Sequence, residues 1–158
     1  MATKQEIYEG VRGVEERLER LLPGIAANLE RPLPTGTWTI HDALCHIAAD
    51  GNAVPRFVQR MERIDRGEPG RPPGFNVDEH NEQQIALRKG RTVDEVVTEI
   101  KGGFAADLAA VESIPDATLE RQIPGFGGNL TLASDSLRFN LVGHNHLHLD
   151  DIEKALQV

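Results

Sequence analysis

Near the N-terminus, apolar residues recur at spacings of three and four positions, which is the period of one face of an α-helix. The stretch is TKQEIYEGVRGVEERLERLL, and its other positions are mostly glutamate and arginine. Pro23 and Gly24 follow directly and are expected to disturb the end of the helix. The pattern predicts an amphipathic helix whose buried face consists of Ile7, Val11, Val14, Leu18 and Leu21.

A second helix is predicted to begin at Thr39. This residue is followed three positions later by Asp42, an arrangement that resembles a capping box with aspartate in place of glutamate. Pro55 is expected to kink or divide this helix, because proline lacks the amide hydrogen that a helix interior uses. The apolar residues spaced one heptad apart along it are Ile40, Ile47, Val54 and Met61.

Three more helical segments are predicted towards the C-terminus: VDEHNEQQIALRKG, TVDEVVTEIKGGFAADLAAVESI and ASDSLRFNLVGHNHLHLDDIEKAL. The second of these begins with a capping box formed by Thr92 and Glu95. The stretch IPDATLERQIPGFGGNLTL is typical of a loop, with at most a short extended piece. We therefore predict an all-α fold without strand pairing, a bundle of about four helices that forms a single domain over residues 1–158.

Composition and charge argue against nucleic acid and membranes as binding partners. The 158 residues are 39% hydrophobic and 27% charged, which is ordinary for a soluble globular protein. The net charge of −8 argues against nucleic acid as a partner. No run approaches the roughly 20 apolar residues of a membrane helix, and the N-terminus has no apolar signal segment, so we expect a cytoplasmic protein that does not bind membranes. The single cysteine, Cys45, excludes an internal disulfide.

Three of the six histidines lie within five positions of the stretch GHNHLHLDDI, in the last predicted helix. On a helical wheel, His144 and His148 are about 40° apart, whereas His146 points to the opposite side. Leu141 and Ile152 continue the stripe of the pair, so both imidazoles are expected on the buried face. Such a pair either chelates a transition metal or consists of core histidines that are hydrogen-bonded to their neighbours.

A metal site needs a third ligand, and His46 is the strongest candidate. It lies one turn inside the second predicted helix, beside the apolar stripe of that helix. His41 is about 140° away around the helix and is expected to be exposed. His80 lies in a strongly polar segment and is expected to face solvent. Cys45 could supply a thiolate, but a lone cysteine among alanine and leucine is more typical of a small core residue.

The stretches WTIHDALCHIA and HNHLHLDDI resemble the pattern of the DinB-like superfamily, which consists of four-helix-bundle metalloproteins. The chain is also similar to the N-terminal domain of mycothiol-dependent maleylpyruvate isomerase. The resemblance extends over essentially the whole chain. It implies a DinB/YfiT-like four-helix bundle in which His46, His144 and His148 bind one divalent metal ion, zinc or nickel. The positions that match the pattern are Trp38, His46, Ile47, Ala48, His144, His148 and Ile152.

The same resemblance implies metal-dependent chemistry on a small molecule. The leading prediction is a metal-dependent S-transferase that uses a bacillithiol- or mycothiol-type thiol, with this low-molecular-weight thiol as co-substrate. A metal-dependent hydrolase is one alternative, and a non-catalytic, metal-containing stress-response or binding protein is another. A plain helical bundle with buried histidines would bind no stoichiometric metal. The resemblance also implies a homodimer.

Further side chains near His46 are candidates for supporting roles. Asp42 and Asp50 lie one turn before and one turn after it, so either could orient its second ring nitrogen. We favour Asp42 as the cap partner and keep Asp50 as a candidate supporting carboxylate or general base. Asn52 and Arg56 are candidates for binding an anionic substrate, with a solvated helix face as the alternative.

Overall fold

The computed structural model describes residues 1–34, 36–125 and 129–157, and most of them are helical, which confirms the all-α prediction. None of the helices in these ranges is long and apolar enough to cross a membrane. In chain order the elements are α1 (Lys4–Ala27), α2 (Ile40–Ala49), α3 (Ala53–Asp65), α4 (Val77–Ala86), α5 (Val93–Glu112), α6 (Asp116–Leu119), β1 (Gln122–Pro124), β2 (Leu130–Leu132), α7 (Ala133–Arg138), a π-helical segment (Phe139–Gly143) and α8 (His144–Leu156).

Helix α1 follows the predicted stripe but extends beyond its expected end. Four of the five predicted core residues are buried, and the fifth, Leu21, is partly buried. The helix continues through Pro23 as far as Ala27, so the expected disturbance is wrong. Ile25 is completely buried in the core. Its burial favours the extra turn and helps to offset the hydrogen bond that proline removes.

The predicted helix after Trp38 is divided into α2 and α3, as we expected from the proline at position 55. The capping box of Thr39 and Asp42 is present at the start of α2. Helix α2 ends at Ala49, and α3 begins at Ala53 after Asn52, which has a left-handed backbone with φ of 62°. Pro55 therefore lies in the first turn of α3, where backbone amides have no partner within the helix.

The start of α3 is capped by a side chain from another helix. Buried Asp107 of α5 accepts hydrogen bonds from the backbone amides of Ala53 (3.0 Å) and Val54 (2.9 Å). Burial raises the pKa of Asp107, against the effects of these two hydrogen bonds and of Arg56. These hydrogen bonds fix the start of α3 against α5. No local sequence pattern indicated that Asp107 would cap α3.

We expect Asp107→Ala to lower the free energy of unfolding by about 2 kcal/mol, because two buried amides lose their acceptor. Asp107→Asn keeps one acceptor oxygen and is expected to cost less. Urea unfolding measures both effects. The control is Asp94→Ala, which removes an exposed carboxylate from the first turn of the same helix and is expected to change stability by about 0.5 kcal/mol or less. An alanine variant at position 107 as stable as the wild type would contradict the capping role.

Helix α2 lies at the centre of the bundle and contacts α4, α5 and α8. All of its residues except Ala49 are buried. His41 is accordingly only 7% exposed, with its Nε2 3.9 Å from the sulfur of Cys45, so its predicted exposure is wrong. A wheel with one apolar stripe does not describe a helix that is covered on every side. Cys45 is a core residue as predicted, and burial raises the pKa of its thiol to about 11.

The segment between α5 and α7 is more ordered than the predicted loop. Strands β1 and β2 pair antiparallel, with Ile123 opposite Thr131, so the prediction of no strand pairing is wrong. Ile123 is completely buried, which anchors this short hairpin to the core. The last predicted helix is also interrupted: the π segment joins α7 to α8 and has wider turns than an α-helix.

Candidate metal centre

The three histidines that the sequence singled out lie together between α2 and α8. One ring nitrogen from each of His46, His144 and His148 lies within 4.8 Å of the others. The ring centroid of His46 is 5.3 Å from that of His144 and 4.5 Å from that of His148. No other group of three potential metal-binding side chains occurs among the residues that the structure describes.

The two histidines of α8 flank the core stripe of that helix. The stripe itself consists of Asn145, Leu149 and Ile152, while His144 and His148 are partly buried beside it. The helical wheel placed the pair on the buried face because Ile152 continues its spacing, but the buried side chains of α8 centre roughly 60° around the helix from the pair. The pair nevertheless converges, since the two Nε2 atoms are 3.1 Å apart.

His146 points away from this group, as the wheel predicted. Its Nδ1 lies 3.4 Å from Nη1 of Arg17 on α1. Arg17 also forms ion pairs with Asp150 at 2.7 Å and Glu153 at 2.5 Å. His146 therefore belongs to the contact between α1 and α8, and it provides a natural control for the other two histidines.

The carboxylate of Asp50 joins the histidine cluster from the C-terminal end of α2. Its Oδ2 lies 2.8 Å from Nδ1 of His144 and 3.6 Å from Nε2 of His46. The sequence placed Asp50 beside His46, but its nearer partner is His144 on the neighbouring helix. Asp42 forms the capping box of α2 with Thr39, which is the role that the sequence favoured for it. A carboxylate at the second nitrogen of a histidine fixes the orientation and tautomer of the ring, a common support for metal ligands.

Burial favours the uncharged form of two histidines in the cluster. It lowers the pKa of His148 to about 4, and the nearby His46 and His144 add to the effect. Burial also lowers the pKa of His46. For Asp50, burial acts to raise the pKa, but His144, His46 and Arg56 together bring it below its ordinary value. At neutral pH, His46 and His148 are therefore uncharged beside an ionised carboxylate, which is the state that metal binding requires.

The donor set fits a divalent metal ion. A proton on Nδ1 of His144, which lies 2.8 Å from Oδ2 of Asp50, would leave the Nε2 lone pair directed towards His148. Nδ1 of His46 is buried and has no hydrogen-bond partner among the described residues. Imidazole nitrogens suit zinc and nickel, and three protein ligands leave a position for a water or a substrate.

Two aromatic side chains lie against the histidines. The ring of Trp38 has its centroid 4.9 Å from that of His46 and 5.9 Å from that of His148. The loop that carries Trp38 is held by a backbone hydrogen bond from Leu33 to the Trp38 carbonyl (2.9 Å). Phe139 is 45% exposed, and its ring centroid lies 6.3 Å from that of His144. Phe139 was not predicted, because the π segment that places it beside His144 has no signature in the sequence.

Arg56 and Asn52, the candidates for substrate binding, lie outside the histidine cluster. The guanidinium of Arg56 donates to the backbone carbonyls of Ala49 (3.2 Å), Asp50 (2.6 Å) and Gly51 (2.9 Å), so it caps the end of α2. Nη2 of Arg56 also lies 3.8 Å from Oδ1 of Asp50. Both candidates line a cleft of about 480 Å³ to which the three histidines do not contribute.

Comparison with protein families gives one match over most of the chain. The family described as mycothiol maleylpyruvate isomerase N-terminal domain matches residues 11–153. This range contains all three histidines of the cluster and Asp50. No curated protein matches the chain.

Solved structures share the fold at low sequence identity. The crystal structure of the mycothiol-dependent maleylpyruvate isomerase aligns with a TM-score of 0.67 and 16% identity, over 96% of this chain but only 61% of the isomerase. The colibactin self-resistance protein ClbS, solved in complex with a dsDNA, aligns with a TM-score of 0.74 and 15% identity over 100% of this chain and 98% of ClbS.

An uncharacterised protein from Clostridium difficile 630 aligns with a TM-score of 0.71 and 12% identity, over 100% of this chain and 98% of that protein. At these identities the structural likeness shows the fold alone. Together with the matching family, it confirms the DinB-like bundle that the sequence predicted.

Proposed function

Because the chain belongs to the mycothiol maleylpyruvate isomerase N-terminal domain family, we propose that it binds one divalent metal ion and joins a low-molecular-weight thiol to a small electrophile. In this step the thiol gives up its proton, its sulfur forms a bond to the electrophilic carbon, and a leaving group such as chloride departs. The proposed ligands are His46, His144 and His148. The observation that supports this most is the convergence of three ring nitrogens within 4.8 Å beside a carboxylate. The choice of a thiol follows from the mycothiol dependence of the isomerase with the same fold.

The side chains of the site have separable roles in this proposal. Burial keeps His46 and His148 uncharged, so their lone pairs are available at neutral pH. Asp50 holds the ring of His144 with its proton on Nδ1. Trp38 packs against the rings of His46 and His148. A divalent ion on neutral imidazoles keeps its full charge and lowers the pKa of a water or thiol that it binds.

Asp50 is proposed as a positioning residue and not as a general base. Its pKa lies below its ordinary value, and a carboxylate with a lowered pKa is a weak base at neutral pH. Of the two roles that the sequence left open for Asp50, supporting carboxylate and general base, we therefore propose the first.

A small molecule is the proposed partner of this site. The net charge of −8 disfavours binding to the phosphates of nucleic acid. The dsDNA complex is a property of ClbS, which shares 15% identity with this chain. The absence of a nucleic-acid partner therefore stays a prediction, as does the homodimer implied by the resemblance.

A conjugation assay tests the proposal. Untagged protein is loaded with zinc or nickel and mixed with mycothiol and monochlorobimane, whose fluorescence reports the thiol adduct. A free thiol is only a few per cent ionised at pH 7, so complete ionisation at the metal predicts that bound thiol reacts up to about 30-fold faster than the same concentration of free thiol. We expect this increase to disappear in His148→Ala and to persist in His146→Ala.

The other outcomes separate the alternatives. Hydrolysis of ester or amide substrates without thiol conjugation would overturn thiol transfer in favour of a metal-dependent hydrolase. Stoichiometric metal with neither activity would favour a non-catalytic binding protein. A protein that takes up neither zinc nor nickel would overturn the metal site itself.

A further inference from the structure

We propose that Phe139 binds the electrophile of the proposed reaction, and that this electrophile is an uncharged aromatic molecule. This inference rests on the proposed thiol transfer and names the class of its second substrate. The ring of Phe139 lies beside His144, on the side of the histidine cluster that solvent reaches. A ligand that stacks on this ring is therefore held next to the candidate metal centre.

A π-helical turn places Phe139 next to His144. The backbone amide of His144 donates to the carbonyl of Phe139, five positions earlier, whereas in an α-helix it would bond to the carbonyl of Asn140. The two ring centroids are 6.3 Å apart. The wider turn thus brings an aromatic side chain beside a proposed metal ligand, and π turns inside helices occur frequently at functional sites.

The missing side chain at Gly143 makes room for the ring of Phe139. A Cβ on Gly143 would lie 2.9 Å from Cδ2 of Phe139 and 3.5 Å from its Cε2, so the ring lies in space that another residue would need. Although the ring is packed on this side, 45% of the residue is exposed. A ring that is already held in place loses little freedom when a ligand covers it.

Solvent reaches the histidine cluster on the side where Phe139 lies. The side chain of His144 is 32% exposed, whereas that of His46 is 4% exposed. Trp38 is only partly buried, but it packs against the rings of His46 and His148. A substrate that enters from solvent therefore meets His144 and Phe139 before it reaches His46.

The charges around the cluster favour an uncharged substrate. Burial lowers the pKa of His148, and the carboxylates of Asp50 and Asp151 act against this effect, so both are close enough to repel an anion. Arg56 pairs with Asp50 at 3.8 Å and donates to three backbone carbonyls. An anionic electrophile would have to compete for this guanidinium, whereas a neutral ring stacks on an aromatic side chain without breaking these contacts.

Removing or moving the ring tests this inference. Phe139→Ala removes the ring. Gly143→Ala keeps it but forces it from its present position, because the new Cβ would lie 2.9 Å from Cδ2. Tyr8→Ala is the matched control, since the ring of Tyr8 is 40% exposed and packs against Arg12 on α1. Alanine is the best helix former, so all three variants are expected to fold and to bind zinc like the wild type.

Fluorescence of Trp38, the single tryptophan, reports binding to the zinc-loaded proteins. The probe is 4-nitrobenzyl alcohol, a quencher that has an aromatic ring but no leaving group. We expect saturable quenching in the wild type and in Tyr8→Ala, and binding at least about tenfold weaker in Phe139→Ala and Gly143→Ala. The anion 4-nitrobenzenesulfonate is expected to bind the wild type more weakly than the alcohol does.

Conjugation to mycothiol then compares 4-nitrobenzyl chloride with chloroacetamide, which has the same leaving group but no ring. In both reactions the thiol proton passes to the buffer, a carbon–sulfur bond forms and chloride departs. For 4-nitrobenzyl chloride we expect KM to rise at least about tenfold in Phe139→Ala while kcat changes little. The reaction of chloroacetamide is expected to stay as in the wild type.

Several results would overturn the inference and leave the proposed thiol transfer intact. These are no saturable quenching in the wild type, unchanged binding in Phe139→Ala or Gly143→Ala, an equal loss in Tyr8→Ala, or tighter binding of the sulfonate than of the alcohol. A wild type that binds the alcohol through Phe139 but conjugates neither chloride would overturn the proposed thiol transfer and leave the binding role of Phe139 standing.

Discussion

Replacing His148 by alanine is expected to weaken the binding of zinc or nickel by more than about 100-fold. Loss of a supporting residue behind a metal ligand typically costs 10–100-fold, and loss of a ligand removes a bond to the ion itself. His148 is also the ring whose pKa burial lowers to about 4, so it supplies a lone pair across the whole neutral range. Alanine is the best helix former, so α8 is expected to remain intact.

The measurement is metal content by mass spectrometry on untagged protein, followed by competition with a chelator of known affinity. Wild-type protein is expected to hold about one ion per chain. The matched control is His146→Ala, two positions earlier on the same helix, whose side chain faces Arg17. Equal metal affinity in the His148 variant and the wild type would show that His148 is not a ligand, and a wild type without metal would show that the histidines are core residues.

Replacing Asp50 by alanine is expected to weaken metal binding by about 10–100-fold. The carboxylate lies 2.8 Å from Nδ1 of His144, and its loss frees that ring to rotate and to move its proton to the nitrogen that should bind the ion. Asp50→Asn keeps an oxygen that can accept from Nδ1 and is expected to retain part of the affinity. The affinities are measured by chelator competition, as for His148.

Asp50 also ends α2 and pairs with Arg56, so its role at the metal must be separated from its role in the fold. Urea unfolding of the metal-free variants measures the second role, whereas affinity is measured on folded protein. Asp65→Ala on α3 is the control, because that exposed carboxylate pairs with Arg121 away from the histidines. Unchanged affinity in Asp50→Ala, at whatever stability, would contradict the positioning role.

Local patterns in the sequence predicted much of this molecule. The capping boxes of Thr39 and Thr92 begin α2 and α5 as expected, because such a cap depends only on residues three positions apart. Pro55 marks the division of a helix for an equally local reason. The spacing of His144 and His148 predicted their convergence, since side chains four positions apart lie one above the other on a helix.

Predictions failed where a partner distant in the chain decides the outcome. His41 is buried because α2 is covered by α4, α5 and α8, which no single-helix pattern reveals. The cap of α3 comes from Asp107, more than fifty positions away along the chain. Asp50 lies nearer to His144 than to His46, its own neighbour on α2, because a residue of the adjacent helix comes closer.

Residue types at short, fixed spacings were enough to predict the all-α class, the starts of α2 and α5 and the identity of the clustered histidines. The packing of the helices brings Asp50 closer to His144 than to His46, leaves the histidine pair at the flank of the core and opens a cleft beside the end of α2. These features depend on how whole helices pack, and packing is set by the sum of many contacts between distant residues.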